Sequence, residues 1–500
     1  MDIIIAIILC IILITFLHLK KRIPFSAPGP TPLPIIGNLH LIDKGKPQYA
    51  LHNLYLKYGN IYSLWMGSVY AVVLSETDII QDALVNHSDV FSDRYITPLS
   101  AIVGQLKDLG FSNGDTWSMC RAIWASAFTR SKVLQMEKTL TNNIIKCLDV
   151  IEKESESGEP VNIRYYVKKI AFNAVFQLLL SNEAPYELGK SNDLDDLIHA
   201  TDEVAKWMSH GNPGDFIPLL KPFSNVKIIC ILNFKKLNLL ISTPIQFTNL
   251  QNAIDCVNRH LNKYIQEHKD TIDPNNPRNF MDNFILEVEN HKEGILDDVC
   301  ILKNSSDFII AGTDTTASTI DWSIVFLANY PEYQEMIHKE ITIFENGNNE
   351  FNFTNMRTSL HITQNFIKEV WRLRPIVPLS LPHRTSKEIV FHDYFIPKDT
   401  LIFTNFFSAS LNEKIWKDPY VFNPMRYSNK VEASQPTLVF GFGPRKCVGN
   451  NLAEVNILLA IAHIVKRFKI ERVSDEMIDE NVQIGLTMDT LPYKVIVTKR

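Results

Sequence analysis

The sequence predicts a mainly α-helical protein with minor β: one large domain around a long central helix, with small β-sheets, preceded by an N-terminal transmembrane helix. Three observations carry this. Apolar residues recur with helical spacing through most of the chain. One such stretch, residues 297–330, runs unbroken until Pro331 and would measure about 50 Å as a helix. The β-rich runs are few and short, and no repeat or composition shift divides the 500 residues.

Taken in order, residues 3–19 are almost wholly apolar, broken only by Cys10, Thr15 and His18, and Lys20, Lys21 and Arg22 follow at once. As a helix this run would span about 25 Å, just short of the ~30 Å hydrocarbon core of a bilayer. A cleaved signal peptide has an apolar run of similar length, but its charges precede that run and a small-residue cleavage site follows. Here the charges come after, and no such site is present. Residues 1–22 therefore read as a signal anchor, with Lys20 to Arg22 and the bulk of the chain on the cytosolic side. Residues 23–38 contain Pro24, Pro28, Pro30, Pro32 and Pro34. Each proline fixes φ and removes a backbone donor, so this stretch reads as a stiff extended hinge. Residues 39–500 make up the remaining domain.

Within that domain, 61–66 and 70–74 are β-rich runs around Gly67-Ser68, which suits a hairpin. Helical spacing marks 77–86, 117–128, 133–152 and 161–180, then the long run to Tyr330, then 364–373 and 450–468. Short strands are expected near 389–391 and 493–498.

Composition excludes several functions. The hydrophobic share of 46% and charged share of 21% suit a large core, and a net charge of -5 argues against a nucleic-acid partner. The 7 cysteines are scattered without CxxC pairs, which favours reduced thiols over a disulfide scaffold or a zinc site. No GxGxxG fingerprint is present, so the chain has no nicotinamide or flavin site of that kind.

The strongest chemical signal is Phe440-Gly441-Phe442-Gly443-Pro444-Arg445-Lys446-Cys447-Val448-Gly449. Glycines and a proline place one cysteine on a tight loop that lets a bulky group approach. A helix begins just downstream and Arg445 lies two residues upstream; both would favour a thiolate. Such a thiolate could be a nucleophile, a redox sensor or a metal ligand, whereas most free cysteines are simply buried and inert.

Four further patterns accompany the loop. Glu369 and Arg372 share a helix face at a spacing of three; exposed, such a pair is worth only about 0.2–0.5 kcal/mol. Ala311-Gly312-Thr313-Asp314-Thr315-Thr316 concentrates weak helix formers in mid-helix, for packing or for chemistry. Trp117 and Arg121 share a face at a spacing of four. Phe422, Pro424 and Arg426 form a fourth.

Together these resemble the cytochrome P-450 superfamily, in its microsomal, membrane-anchored form. The matches are FxxGxRxCxG (Phe440, Gly443, Arg445, Cys447, Gly449), ExxR (Glu369, Arg372), FxPxR (Phe422, Pro424, Arg426), the (A/G)Gx(D/E)T motif at Ala311 to Thr315, and WxxxR (Trp117, Arg121). Tyr427 replaces a usual Phe, and Asn456 stands where many members carry Glu.

The resemblance implies the cytochrome P-450 fold and haem b with Cys447 as axial thiolate. It places Trp117, Arg121 and Arg445 on the haem propionates, with His383 or its neighbour Arg384. Glu369, Arg372 and Arg426 would be architectural. Gly312 would leave room for dioxygen, Thr315 would hydrogen-bond it, and Asp314 would relay protons. The implied reaction inserts one atom of O2 into a small lipophilic organic substrate. Electrons would come from NADPH through a separate NADPH-cytochrome P-450 reductase docking near Lys414, Lys417, Arg445 and Lys446, with cytochrome b5 as a second donor. The location implied is the endoplasmic reticulum membrane, single-pass, with the domain facing the cytosol. The substrate pocket would draw on 94–109, 201–247, 308–311, 376–381 and 485–489, where Ile376, Val377, Leu379, Leu381, Leu486 and Met488 are apolar. A haem-binding sensor without catalysis is the reading from another class.

Overall fold

Helical spacing becomes helix wherever a run is long enough to bury one face. The computed structural model describes residues 23–43, 45–187, 192–209, 213–217, 244–291, 294–484 and 487–500. The expected anchor at 1–22 and parts of the expected pocket lie outside them. Among the described residues no helix is long and apolar enough to cross a membrane.

The helices that position the site are α1 (Gly114–Ala127), α2 (Glu137–Ser155), α3 (Ile163–Leu180), α4 (Asn192–Ser209), α5 (Pro244–Thr271), α6 (Asp298–Asn329), α7 (Pro331–Asn346), α8 (His361–Leu373) and α9 (Asn450–Arg467). The 32 residues of α6 are the predicted central helix. Its start is set by the Asp297 carboxylate, which accepts the Cys300 N–H at 3.0 Å. Pro331 stops it and opens α7, where its missing donor costs nothing. Residues 316–329 are buried on every face, as expected of a helix packed between α3, α5 and α9.

The strands are short. β1 (Ile61–Met66) and β2 (Val69–Leu74) pair antiparallel across the predicted turn, with Gly67 at φ +61°. They continue into a five-stranded sheet with β3 (Asp93–Arg94), β4 (His383–Arg384) and β7 (Leu401–Thr404), in the order β1-β2-β7-β4-β3. Three two-stranded ribbons pair β5 (Ile389–Phe391) with β6 (Tyr394–Ile396), β8 (Phe468–Arg472) with β11 (Val495–Lys499), and β9 (Val482–Ile484) with β10 (Met488–Thr490).

Several boundaries differ from the sequence reading, each for a local reason. Residues 82–86 wind as a π-helix after the α-helix ends at Gln81. Val161 does not open α3; it bridges Val495, its N–H donating to that carbonyl at 2.8 Å. Phe468 leaves α9 to begin β8. In the proline-rich stretch residues 26–32 are neither helix nor strand, Leu33 and Gly37 bridge across a turn, and the stretch is fastened along β1. Ser63 donates its N–H to Pro28 O at 2.8 Å and its hydroxyl to Ala27 O at 2.7 Å.

Candidate functional site

The cysteine loop is built by backbone geometry that few residues permit. A short 3-10 turn (Leu438–Phe440) ends at Gly441, and a second (Gly443–Arg445) leads to Lys446. Gly443 has φ +67°, and a Cβ there would lie 1.9 Å from the Leu84 carbonyl oxygen, so only glycine fits. The Cys447 N–H closes the loop onto Phe440 O at 2.8 Å, and the Phe440 ring meets Trp371 edge-on with centroids 5.2 Å apart. Gly449 then caps α9.

Cys447 is surrounded by protein yet its side chain is exposed, so the sulfur opens into an internal hollow. Burial pushes its thiol above the ordinary range; the Gly449 N–H, Arg121 and Lys446 oppose this without overcoming it. Arg445 does not serve the thiolate, contrary to the sequence reading. Its Nε donates to Ser92 O and its Nη2 to Ser112 O and Asn113 Oδ1, each at 2.9 Å, and it lies 3.8 Å over the Trp117 ring. Lys414, among the residues expected at a docking patch, is exposed and pairs with Glu76 at 3.1 Å.

Arg445 belongs instead to a buried cationic cluster. Arg94 on β3, 6% exposed, donates to Leu381 O at 2.8 Å and pairs in register with His383 on β4. His383 is 2% exposed, and its Nδ1 donates to Phe91 O at 2.8 Å. Burial, then Arg94 and Arg445, hold its imidazole well below the usual range, so it is neutral. Alternate side chains of a strand point to opposite faces, which sends Arg384 away, to Asp93 at 2.8 Å. Burial lowers the guanidinium affinities of Arg94, Arg121 and Arg445, and Arg94 and Arg121 further disfavour charge on Arg445.

Among the described residues, buried Arg94 Nε and Arg445 Nη1 find no hydrogen-bond partner. Orphaned guanidinium donors this deep call for anions. The two carboxylates of a haem fit this cluster, and the Cys447 sulfur fits as a ligand beside it. Arg94 was not singled out from the sequence: a two-residue strand carries no local pattern, and its meeting with His383 is a long-range pairing.

Beneath the loop, Glu369 gathers four donors. Arg372 bonds it twice at 2.8 Å, and Arg426 Nε and the Asn423 N–H each at 2.9 Å. Arg426 also pairs with Glu432 at 3.0 Å, while Arg372 donates to Ser410 O and Pro419 O. All three motif side chains are at most 3% exposed, so this is a buried network and no surface pair.

Midway along α6, Ala311 is exposed between buried Ile310 and half-buried Gly312. Thr315 donates its hydroxyl to Ala311 O at 2.7 Å, a back-bond that bends helices. Gly312 does not open space there: a Cβ would lie 2.7 Å from Val175 Cγ2, so this glycine admits the close approach of α3. Asp314 faces the same way, 3.2 Å from Lys168 on α3. Burial raises its carboxyl to about 6, against the pull of Lys168.

Comparison with known proteins agrees with this geometry. The family model described as cytochrome P450 matches residues 27–497. Among curated relatives, probable cytochrome P450 516A1 of Dictyostelium discoideum is 31% identical, with 94% of this chain and 93% of that one aligned. Probable cytochrome P450 516B1 and probable cytochrome P450 508C1 of the same organism are 29% and 30% identical, each over 96% of both chains. With the family matched across nearly its whole length, the chain belongs to the cytochrome P450 family and is a haem-thiolate monooxygenase.

Proposed function

We propose that Cys447 would supply a thiolate ligand to a haem iron and that Arg94, Trp117, Arg121 and Arg445 would hold the haem propionates, while His383, whose one N–H is given to Phe91 O, positions Arg94 and does not itself bind them. The observation that carries this is the buried cationic cluster with two orphaned donors beside a cysteine open to an internal hollow. Bound there, the haem supplies a thiolate-ligated iron that activates dioxygen. Neutral His383 donates no charge but orders β4 against Arg94. Phe440, Gly443 and Gly449 aim the sulfur, and Glu369, Arg372 and Arg426 keep the loop in place. Thr315 presents its hydroxyl above the hollow, one helical turn from Ala311, and Asp314 exchanges protons with solvent behind it.

Electrons come from a separate NADPH-dependent reductase, since the chain carries no dinucleotide fingerprint. The apolar run at 3–19 anchors the protein, single-pass, in the endoplasmic reticulum with the body facing the cytosol. The substrate is a small-to-medium lipophilic molecule, supported by the apolar Ile376, Val377, Leu379 and Leu381, of which Leu381 accepts from Arg94 of the cluster. The test is reconstitution with such a reductase, using a ligand found by a binding-spectrum screen. Thr315→Ala should uncouple NADPH consumption from product formation, and unchanged coupling would remove Thr315 from proton delivery.

A further inference from the structure

The α3 helix presents two successive lysines to acidic partners on α4. Lys169, 1% exposed, pairs with Asp195 at 3.0 Å and donates to Pro185 O at 2.7 Å. Lys168 pairs with Asp202 and also lies 3.2 Å from Asp314 of α6. Asp195 and Asp202 are two helical turns apart and so share a face of α4. Asp314 is therefore one of three members of an ion cluster drawn from three helices, with one cation between two carboxylates.

We propose that Lys168 and Asp202 are positioning residues for Asp314: Lys168 fixes the Asp314 carboxyl, and Asp202 divides the charge of Lys168 with it. One ammonium cannot neutralise two carboxylates, so each carboxylate weakens the hold on the other. The charged groups facing Asp314 are Lys168 of α3, Asp202 of α4 and Asp489 of β10, with Arg164 of α3 3.0 Å from Asp489. Burial is the largest influence on Asp314 and Lys168 opposes it; Asp202 and Asp489 then add to burial, leaving the carboxyl at about 6. A carboxyl of that affinity can both take and give a proton near neutral pH. Because Asp202 is carried on α4, this property of the central helix depends on a contact made by a neighbouring one.

The assignment rests on Asp314 as the proton relay, but its test reads the carboxyl directly. In the full-length holoenzyme, the carbonyl stretch of protonated Asp314, identified by its loss in Asp314→Asn, is titrated by infrared difference spectroscopy. Lys168→Met should raise the midpoint by about one unit and Asp202→Asn should lower it by about as much. Lys168→Arg should restore the native midpoint. Asp195→Asn, which breaks only the neighbouring bridge between α3 and α4, should leave it unchanged. A purely structural clamp moves both cluster variants the same way or neither. That result, or an equal shift in Asp195→Asn, would overturn the proposal. If Lys168→Met does not fold, the downward shift in Asp202→Asn carries the test alone. Opposite shifts together with unchanged coupling in Asp314→Asn would reject the relay and leave the ion cluster standing.

Discussion

Replacing Glu369 with Gln tests the network under the cysteine loop without changing its volume. Glu369 is fully buried, and its carboxylate accepts from Arg372 twice, from Arg426 and from the Asn423 N–H. Three of the four bonds converge on Oε1, so a glutamine with its oxygen there still loses the Arg372 Nε bond, turns an NH2 toward that guanidinium and removes the carboxylate charge. Arg426 keeps Glu432 as a partner; Arg372 keeps only carbonyls and loses its counter-charge. With side-chain exposures of 2% for Arg372 and 3% for Arg426, water cannot screen the loss. Removing one partner of a buried pair costs about 3–5 kcal/mol, against about 0.2–0.5 kcal/mol for the same spacing on a surface. The assay is a urea titration of the purified holoenzyme with haem content measured alongside. The variant should lose that stability with an unchanged denaturant slope and should purify with substoichiometric haem. A variant within 1 kcal/mol of the parent and fully loaded with haem would refute the reasoning.

Three further outcomes follow from named contacts. Gly443→Ala places a Cβ 1.9 Å from Leu84 O in a left-handed conformation, so the loop must shift by about 1 Å and haem incorporation should fall while the rest of the chain stays folded. Arg94→Gln should speed haem transfer to a scavenger protein about tenfold, the equivalent of one charged hydrogen bond; an unchanged rate would remove Arg94 from the propionate cluster. Burial raises the Asp314 carboxyl from the ordinary 3.8 to about 6, so between those values the folded chain holds a proton that the unfolded chain has released. Its contribution to stability is therefore present below pH ~4 and is lost as pH rises to ~6, by up to about 3 kcal/mol. Asp314→Asn should flatten that part of a pH series of denaturation midpoints.

What the sequence disclosed was what neighbouring residues decide. Asp297 and Pro331 marked both ends of the central helix, and Gly67-Ser68 marked the hairpin. The spacing of Glu369 and Arg372 showed that they could pair, although only the surrounding fold makes the pair buried. The Cys447 loop was legible because its glycines are demanded by local backbone geometry. What escaped was set by distant partners. Arg94 joins the cluster through its pairing with His383, and Arg445 turns from the sulfur because Ser92, Ser112 and Asn113 accept its donors. Gly312 answers to Val175 on another helix, and Lys168 sits in no motif at all. Direction of a side chain, unlike helical periodicity, is not written in its neighbours.

The central claim is that Cys447 ligates a haem iron as a thiolate, and the carbon monoxide difference spectrum of the reduced protein tests it most directly. The parent protein should show the red-shifted Soret band of a thiolate-ligated haem. Cys447→Ser, expressed with the same haem supply, should lack that band. Absence of the band in the parent with haem bound, or its persistence in Cys447→Ser, would contradict the account.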